Sequence, residues 1–401
     1  MKELPDYVDR LEIPEHVKDK KQYVIDSLAL LVGRNLHKHR HGFYRNLYKS
    51  IDEKENVLIQ IPAKPIERVF IIGHSPYATS IACILANKDT IIKNFILDEN
   101  KAKSFNIHQL DQDHFPFFKL PPNIEFTTNP EEIKNATLII QAVRPWELEK
   151  YYNILKIKNY INSNNAPIIN VAKGFTSSKS GLIIDDLIHQ YDINPERFFV
   201  MAGANYPQQV MERKITGYEI AAYSQIDKID YYTQLFSNMY IHVRPAIIKD
   251  DIRGVQLGGA LKNIYAIATG LIDGYFSKYY GGNNDNTLFH LANRFFREMV
   301  AIGTELGGKQ ETFQGLSGLN DLMLACFGKD SRDRQWGYDF VFQKADLNRI
   351  SSGLVGLKIL PKLIPLDIDK FPVATAVYKV IYDSVPIEEI IDILSIKLKK
   401  F

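Results

Sequence analysis

The sequence predicts an α/β protein: a doubly wound parallel sheet with helices on both faces, followed by an all-helical C-terminal region. Short apolar runs of strand length recur between about residues 67 and 201, separated mostly by helical patterns. The first of these runs ends on a glycine that opens a helix. After about residue 248 the strand-like runs cease and long helical periodicities replace them. Strands alternating with helices imply parallel pairing, and strands covered on both faces read as continuous apolar runs.

The first strand is Val69-Phe70-Ile71-Ile72, which stops at Gly73. A helical pattern over 77–86 then places Ile81, Ile84 and Leu85 on one face. Further strands are expected over 94–97, ending at Asp98, and over 136–143, 167–172 and 198–201. Helices are expected over 255–270, 286–306, 318–326 and 373–382, with residues 275–284 as a long loop. The boundary falls near 245–252, after His242-Val243-Arg244-Pro245. This divides the chain into a partly helical N-terminal extension (1–65), a dinucleotide-binding domain of Rossmann type (66–247) and an all-helical substrate domain (248–401).

Composition bounds the function. The 401 residues are 45% hydrophobic and 24% charged, as in an ordinary globular protein, and a net charge of +2 gives no reason to expect a nucleic-acid partner. The two cysteines, Cys83 and Cys326, have neither metal-ligand nor disulfide-framework spacing, so no metal is expected and a reducing, cytoplasmic compartment is the default. The N-terminus has no apolar segment of signal type, and no apolar stretch has the roughly 20 residues that span a bilayer. Within the extension, an amphipathic pattern covers 22–36, and the basic stretch His37-Lys38-His39-Arg40-His41 reads as a solvated helix end or loop rather than a metal site, with contact to an anionic partner or another subunit as the alternative.

The turn Gly73-His74-Ser75-Pro76-Tyr77-Ala78 between the first strand and helix suits a dinucleotide pyrophosphate. Glycine lets the backbone approach the phosphates, and a helix N-terminus holds their charge. Only the first glycine of the G-x-G-x-x-G pattern is present; Ser75 and Ala78 fill the other places. Asp98, at the end of the second strand, is placed either to accept from an adenosine ribose, which favours NAD over NADP without excluding NADP, or to cap the following helix.

Two lysines stand out. Lys173 follows a buried strand, and Lys262 lies in Gly258-Gly259-Ala260-Leu261-Lys262-Asn263, flanked by Leu261, Ile264 and Ile267. A desolvated ammonium near another cation has a lowered pKa suited to proton transfer, whereas a surface lysine would snorkel from an amphipathic helix. Asp321 is either a helix cap or an acidic partner for a lysine. Ser331-Arg332-Asp333-Arg334 is either a phosphate clamp or a charged loop.

Taken in order, these segments resemble the NAD(P)-dependent glycerol-3-phosphate dehydrogenases, from about residue 67 to the C-terminus. The matching pieces are the Gly73 turn, Val171-Ala172-Lys173-Gly174, Ala202-Gly203-Ala204-Asn205, Gly254 to Asn263, Gly315-Leu316-Ser317-Gly318 with Asp321, and Ser331-Arg332-Asp333-Arg334. The resemblance implies hydride transfer between sn-glycerol 3-phosphate and dihydroxyacetone phosphate with NAD(P)(H), Lys262 being the general acid/base. Catalytic roles are implied for Lys262, Asp321 and Lys173. Substrate would be bordered by Lys173, Gly203, Asn205, Lys262, Asn263 and Asp321, with Ser331, Arg332 and Asp333 at its phosphate. The cofactor would meet Gly73, Ser75, Pro76, Tyr77, Asp98, Lys173, Pro207, Arg332 and Ser352. A small phosphorylated triose is the expected partner, and a homodimer is expected by analogy.

Departures from the family pattern occur at Ser75 and Ala78, at Asp333 in place of asparagine, at Leu324-Ala325, and at Ser352-Gly353 in place of Glu-Gly. They leave a second class open, a weakened or inactive member that only binds a dinucleotide or phosphometabolite. A third is a related dehydrogenase acting on another substrate.

Overall fold

Strand β1 (Glu67–Ile72) is buried on both faces, so its residues alternate between two cores rather than between core and water. Val69 and Ile71 pack with Ile81, Leu85 and Phe105 on one side of the sheet; Phe70 and Ile72 pack with Ile157, Ile161 and Leu187 on the other. The computed structural model describes residues 67–86, 90–281 and 283–397; the basic stretch at 37–41 and the pattern over 22–36 lie outside the described residues.

After β1 come α1 (Pro76–Leu85), β2 (Thr90–Phe95), α2 (Glu99–His108), β3 (Ile124–Thr127), β4 (Leu138–Gln141), α3 (Ile157–Asn162), β5 (Ile168–Asn170), α4 (Ile183–His189), β6 (Phe198–Ala202), α5 (Pro207–Met211), β7 (Thr216–Ala222), α6 (Ile229–Phe236) and β8 (Ile241–Pro245). The sheet has eight strands in the order β3-β2-β1-β4-β5-β6-β7-β8. The strand order reverses direction beside β1, which places the crevice of a doubly wound sheet at the C-terminal ends of β1 and β4.

Three strands differ from expectation by being present at all: β3, β7 and β8. β3 has only four residues, one of them exposed. β8 is covered at alternate positions only and carries exposed His242 and Arg244. β7 contains Glu219, a charged residue that is fully buried and whose partners are distant in sequence. The second strand also starts earlier than its apolar run suggests. Lys93 is paired with Glu125 at 2.6 Å, and buried Asn94 donates its amide N–H to the Gly73 carbonyl at 2.8 Å, so polar residues are accommodated in the ladder by specific partners. Nor is the sheet wholly parallel: β7 pairs antiparallel with β6.

The helical region comprises α7 (Ile252–Tyr279), α8 (Asp285–Glu305), α9 (Asp321–Phe327), α10 (Arg332–Val341), α11 (Ser352–Leu363), α12 (Pro372–Tyr382) and α13 (Glu388–Lys397). Helix α7 continues through Tyr279, so the first half of the expected 275–284 loop is helix. It is buried almost all round, as expected of a helix with few polar faces, and is capped by Asp251, whose carboxylate accepts from Gly254 N–H at 2.8 Å. Helix α7 packs against β6 and β7 as well as against α8 to α12, and the described residues between 67 and 397 form one compact unit. Among the described residues no helix is long and apolar enough to cross a membrane.

Glu298 of α8 joins two of these helices. It is buried and accepts from the Val373 and Ala374 N–H groups, at 2.9 and 2.7 Å, in the first turn of α12. Burial pushes its carboxyl up to about 7, against the pull of these donors. Since the folded pKa lies above the unfolded value, the folded state holds the extra proton, and stability declines as pH rises from about 4.5 to about 7. Glu298→Gln is expected to remove that decline, worth on the order of 3 kcal/mol across the window. Denaturant titrations of both proteins at several pH values check it; parallel curves would refute it.

Candidate active site

Asp321 opens α9 and is completely buried. Its Oδ1 accepts from Lys262 Nζ of α7, and its Oδ2 accepts from Lys173 Nζ at 2.8 Å, just beyond β5. One carboxylate therefore joins a lysine from the sheet to a lysine from the longest helix. Lys173 also donates to the Gly203 carbonyl at 2.7 Å, where Asn205 Nδ2 donates at 2.6 Å. Burial pulls the Lys173 ammonium down to about 8, with Lys262 adding to the effect and Asp321 opposing it. The Tyr77 ring lies 5.7 Å from Lys173 Nζ, and its buried hydroxyl is pushed well up, first by desolvation and then by Asp321.

Close backbone approach assembles this cluster. A Cβ on Gly258 would lie 2.5 Å from the Ser317 carbonyl oxygen, and one on Gly259 would lie 3.3 Å from Lys173 Cγ. The glycine pair thus lets α7 contact both the segment before Asp321 and the stem of Lys173. A Cβ on Gly203 would fall 2.3 Å from the Gly217 carbonyl oxygen. Glu219 of β7 completes the support. Its carboxylate accepts from Leu316 N–H at 3.0 Å, from Ser317 N–H at 2.9 Å and from the Ser317 hydroxyl, holding the wide helical turn Leu316–Asn320 that delivers Asp321. Glu219 was not among the expected residues. Its only sequence signal is an acid inside an apolar strand, and its hydrogen-bond donors lie 97 and 98 residues away, with Arg244 of β8 a further ion-pair partner at 3.8 Å.

Gly73 has φ +110°, and a Cβ there would press to 3.0 Å on the backbone of Ala142 and Val143, so the first glycine is required sterically. Ser75 caps α1: its buried Oγ accepts from Ala78 N–H at 3.1 Å, and Pro76 begins the helix. The serine side chain is folded back onto the helix, and the ten-residue α1 presents its N-terminus at the strand end. This turn and helix fit a dinucleotide phosphate. At the other end, a Cβ on Gly174 would be 3.5 Å from Ser352 Oγ, so Ser352, at the start of α11, borders the Lys173 loop.

The remaining expected residues are placed as follows. Asp98 is exposed and caps α2, accepting from Lys101 N–H at 3.0 Å. Pro207 begins α5, which packs on α1. Asn263 is half-buried on α7, with its carbonyl 2.8 Å from a Cβ built on Gly353. Ser331 caps α10, and Arg332, its first residue, is exposed. Asp333 is buried beside Gly353, with its carboxyl raised by desolvation, while Ser351, Arg349 and Arg332 pull the other way. Hydrogen bonds, ion pairs and a ring contact join Tyr77, Lys173, Gly203, Asn205, Lys262 and Asp321; among the described residues, Asp98, Pro207 and Arg332 stand outside this network.

A doubly wound sheet with a glycine-turn helix at its crevice and a buried lysine–carboxylate cluster defines a dinucleotide-dependent oxidoreductase. Residues 68–227 match the model described as NAD-dependent glycerol-3-phosphate dehydrogenase N-terminus, and residues 251–392 match the C-terminus of the same family. The chain belongs to the NAD-dependent glycerol-3-phosphate dehydrogenase family. It is 29% identical over 272 residues to a glycerol-3-phosphate dehydrogenase [NAD(P)+] of Halothermothrix orenii, covering 68% of this chain and 75% of that one. With the Alcanivorax borkumensis protein of the same name it shares 29% over 327 residues, 79% of this chain and 90% of the relative. A Plasmodium falciparum glycerol-3-phosphate dehydrogenase structure superposes with a TM-score of 0.70 at 18% identity, covering 86% and 97%. The Coxiella burnetii structure gives 0.69 at 22%, covering 82% and 98%. The cofactor class is accordingly NAD(P).

Gly258→Ala is expected to displace the Ser317 segment, cost about 1–3 kcal/mol of stability and lower turnover by moving Asp321. Chemical denaturation and steady-state assays measure the two effects. Wild-type values for both would remove the proposed reason for that glycine.

Proposed function

We propose that the chain interconverts sn-glycerol 3-phosphate and dihydroxyacetone phosphate with NAD(H), using Lys262 as general acid/base on the C2 oxygen. The observation that carries this reading is the bridging of Lys262 and Lys173 by one buried carboxylate, Asp321. When bound, the nicotinamide supplies or accepts the hydride. Lys262 holds the proton that an alkoxide at C2 needs as the ketone is reduced, and takes it back in the oxidative direction. Asp321 orients the Lys262 ammonium. Lys173 adds a second positive charge where negative charge develops, and its bond to the Gly203 carbonyl aims it.

Asn205 and Asn263 border the substrate carbons in this reading, and Ser331 and Arg332 take its phosphate through hydroxyl and guanidinium donors. Asp333 is turned to the α11 side, beside Gly353, and Arg332 is at the surface. At the cofactor, the Gly73 turn with Ser75, Pro76 and Tyr77 holds the pyrophosphate end, Pro207 and Ser352 flank the site, and Asp98 faces the adenosine ribose. The α2-capping bond leaves the second carboxylate oxygen of Asp98 available for that role. The protein is read as a cytoplasmic homodimer, on two cysteines that both remain thiols and on analogy with paired helical domains.

Lys262→Met is expected to lower kcat for NADH oxidation with dihydroxyacetone phosphate by roughly 10²- to 10⁴-fold while NADH binding persists. Near-normal turnover in a folded variant would exclude the proton-transfer role. Arg332→Ala is expected to raise KM for the phosphorylated ketone more than it lowers kcat. An unchanged KM would move the phosphate elsewhere.

The Lys173 ammonium loses its proton as pH rises through about 8, so reduction should decline on that limb. Lys173→Arg, which keeps its charge, should carry the limb to higher pH. A limb that does not move would assign it to another group.

A further inference from the structure

His74 lies inside the dinucleotide turn, yet its side chain faces away from the lysine cluster. Its Nε2 is 3.2 Å from Asp111 Oδ2, and His114 Nδ1 is 3.1 Å from the same oxygen. The three ligand-type atoms lie within 4.8 Å of one another. Asp111 is completely buried and the two imidazoles are half-buried.

Two features separate this arrangement from a pair of ordinary histidine–carboxylate bonds. Both imidazoles converge on one oxygen, while Oδ1 accepts only the His114 backbone N–H at 3.2 Å among the described bonds. The N···O separations of 3.2 and 3.1 Å lie at the long end of the roughly 2.7–3.2 Å range of N–H···O bonds, beyond the roughly 2.7–2.9 Å of charge-assisted ones. They approach the edge of about 3.3 Å between ligand atoms on a tetrahedral zinc ion with bonds near 2.0–2.1 Å. The rings meet edge-on, with centroids 4.4 Å apart and planes at 63°, as two imidazoles on one ion can.

The surroundings suit a metal ligand set. Thr79 of α1 donates to Asp111 Oδ2 at 2.6 Å, an outer partner that orients the carboxylate. Phe105 and Phe126 stand against the His74 ring at 5.6 and 6.0 Å between centroids, supplying an apolar wall.

We propose that His74, Asp111 and His114 form a site for a divalent transition-metal ion of the zinc class, with a fourth position for water. Two imidazoles and one carboxylate are a ligand set that zinc accepts. The ion would tie the segment before β3 to the β1–α1 turn and so brace the turn at the cofactor end. No spacing rule finds it, because His74 is 37 residues from Asp111.

The test is a zinc titration of chelator-treated full-length protein in competition with a chromophoric chelator, repeated on His114→Gln and Asp111→Asn. Because the chain also carries His37, His39 and His41, the informative quantity is the difference between proteins. Wild type should bind one equivalent more than either folded variant, and cobalt should give visible ligand-field bands that the variants lose. Equal stoichiometry and equal spectra would overturn the proposal. A measurement on wild type alone guards against unstable variants: zinc should protect His74 and His114 from diethyl pyrocarbonate, read by peptide mass. Modification unchanged by zinc would equally overturn it.

Discussion

The buried Asp321 carboxylate is the constraint on which the site depends. A charge with no exposure to water is tolerated only when fully paired, and this one is paired from two directions. One ammonium comes from the loop after β5 and the other from α7, so the ion cluster exists only when sheet and helices are docked. Removing either lysine would leave part of that charge uncompensated, and removing Asp321 would leave two like charges facing one another. The structural demand for full pairing and the proposed proton chemistry therefore fall on the same three side chains. The lowered pKa of Lys173 is a direct result, since burial and Lys262 together outweigh the carboxylate.

The cluster is held by groups that carry no chemistry of their own. Gly258 and Gly259 are needed for what they lack, because a methyl group at either would collide with the Ser317 carbonyl or crowd the Lys173 stem. Glu219 serves as an acceptor for a turn whose amide groups would otherwise be buried without partners. Helix α7 combines these roles. It is the core of the helical region, the neighbour of β6 and β7, and the carrier of Lys262. Its nearly uniform burial explains why Lys262 has so little exposure: the helix has no solvated face toward which the side chain could snorkel.

How much was legible in the sequence depended on whether the signal was local. The strand at 69–72 and the helix after it were plain because both faces of the strand are apolar and the turn needs glycine at φ +110°. Lys262 was prominent because apolar residues flank it, and its pairing with Asp321 followed from the order of motifs in the family resemblance. Strands β7 and β8 were hidden for a physical reason: one buries a glutamate that is satisfied from a distant turn, and the other is half covered at the sheet edge. The antiparallel placement of β7 is likewise a matter of what it packs beside, not of its own composition.

By itself, the sequence determined the α/β class, the glycine turn that suits a dinucleotide and the family to which the ordered motifs point, because periodicity, backbone freedom and motif order are properties of contiguous residues. Only the tertiary structure decided that Asp321 is shared between two lysines, that Ser75 turns back to cap its own helix, and that Asp111 collects two histidines. The Ser75 cap is local, but the Asp321 cluster and the His74–Asp111 contact depend on atoms brought within about 3 Å from residues far apart in the chain, and hydrogen-bond geometry at that range is set by packing rather than by sequence spacing.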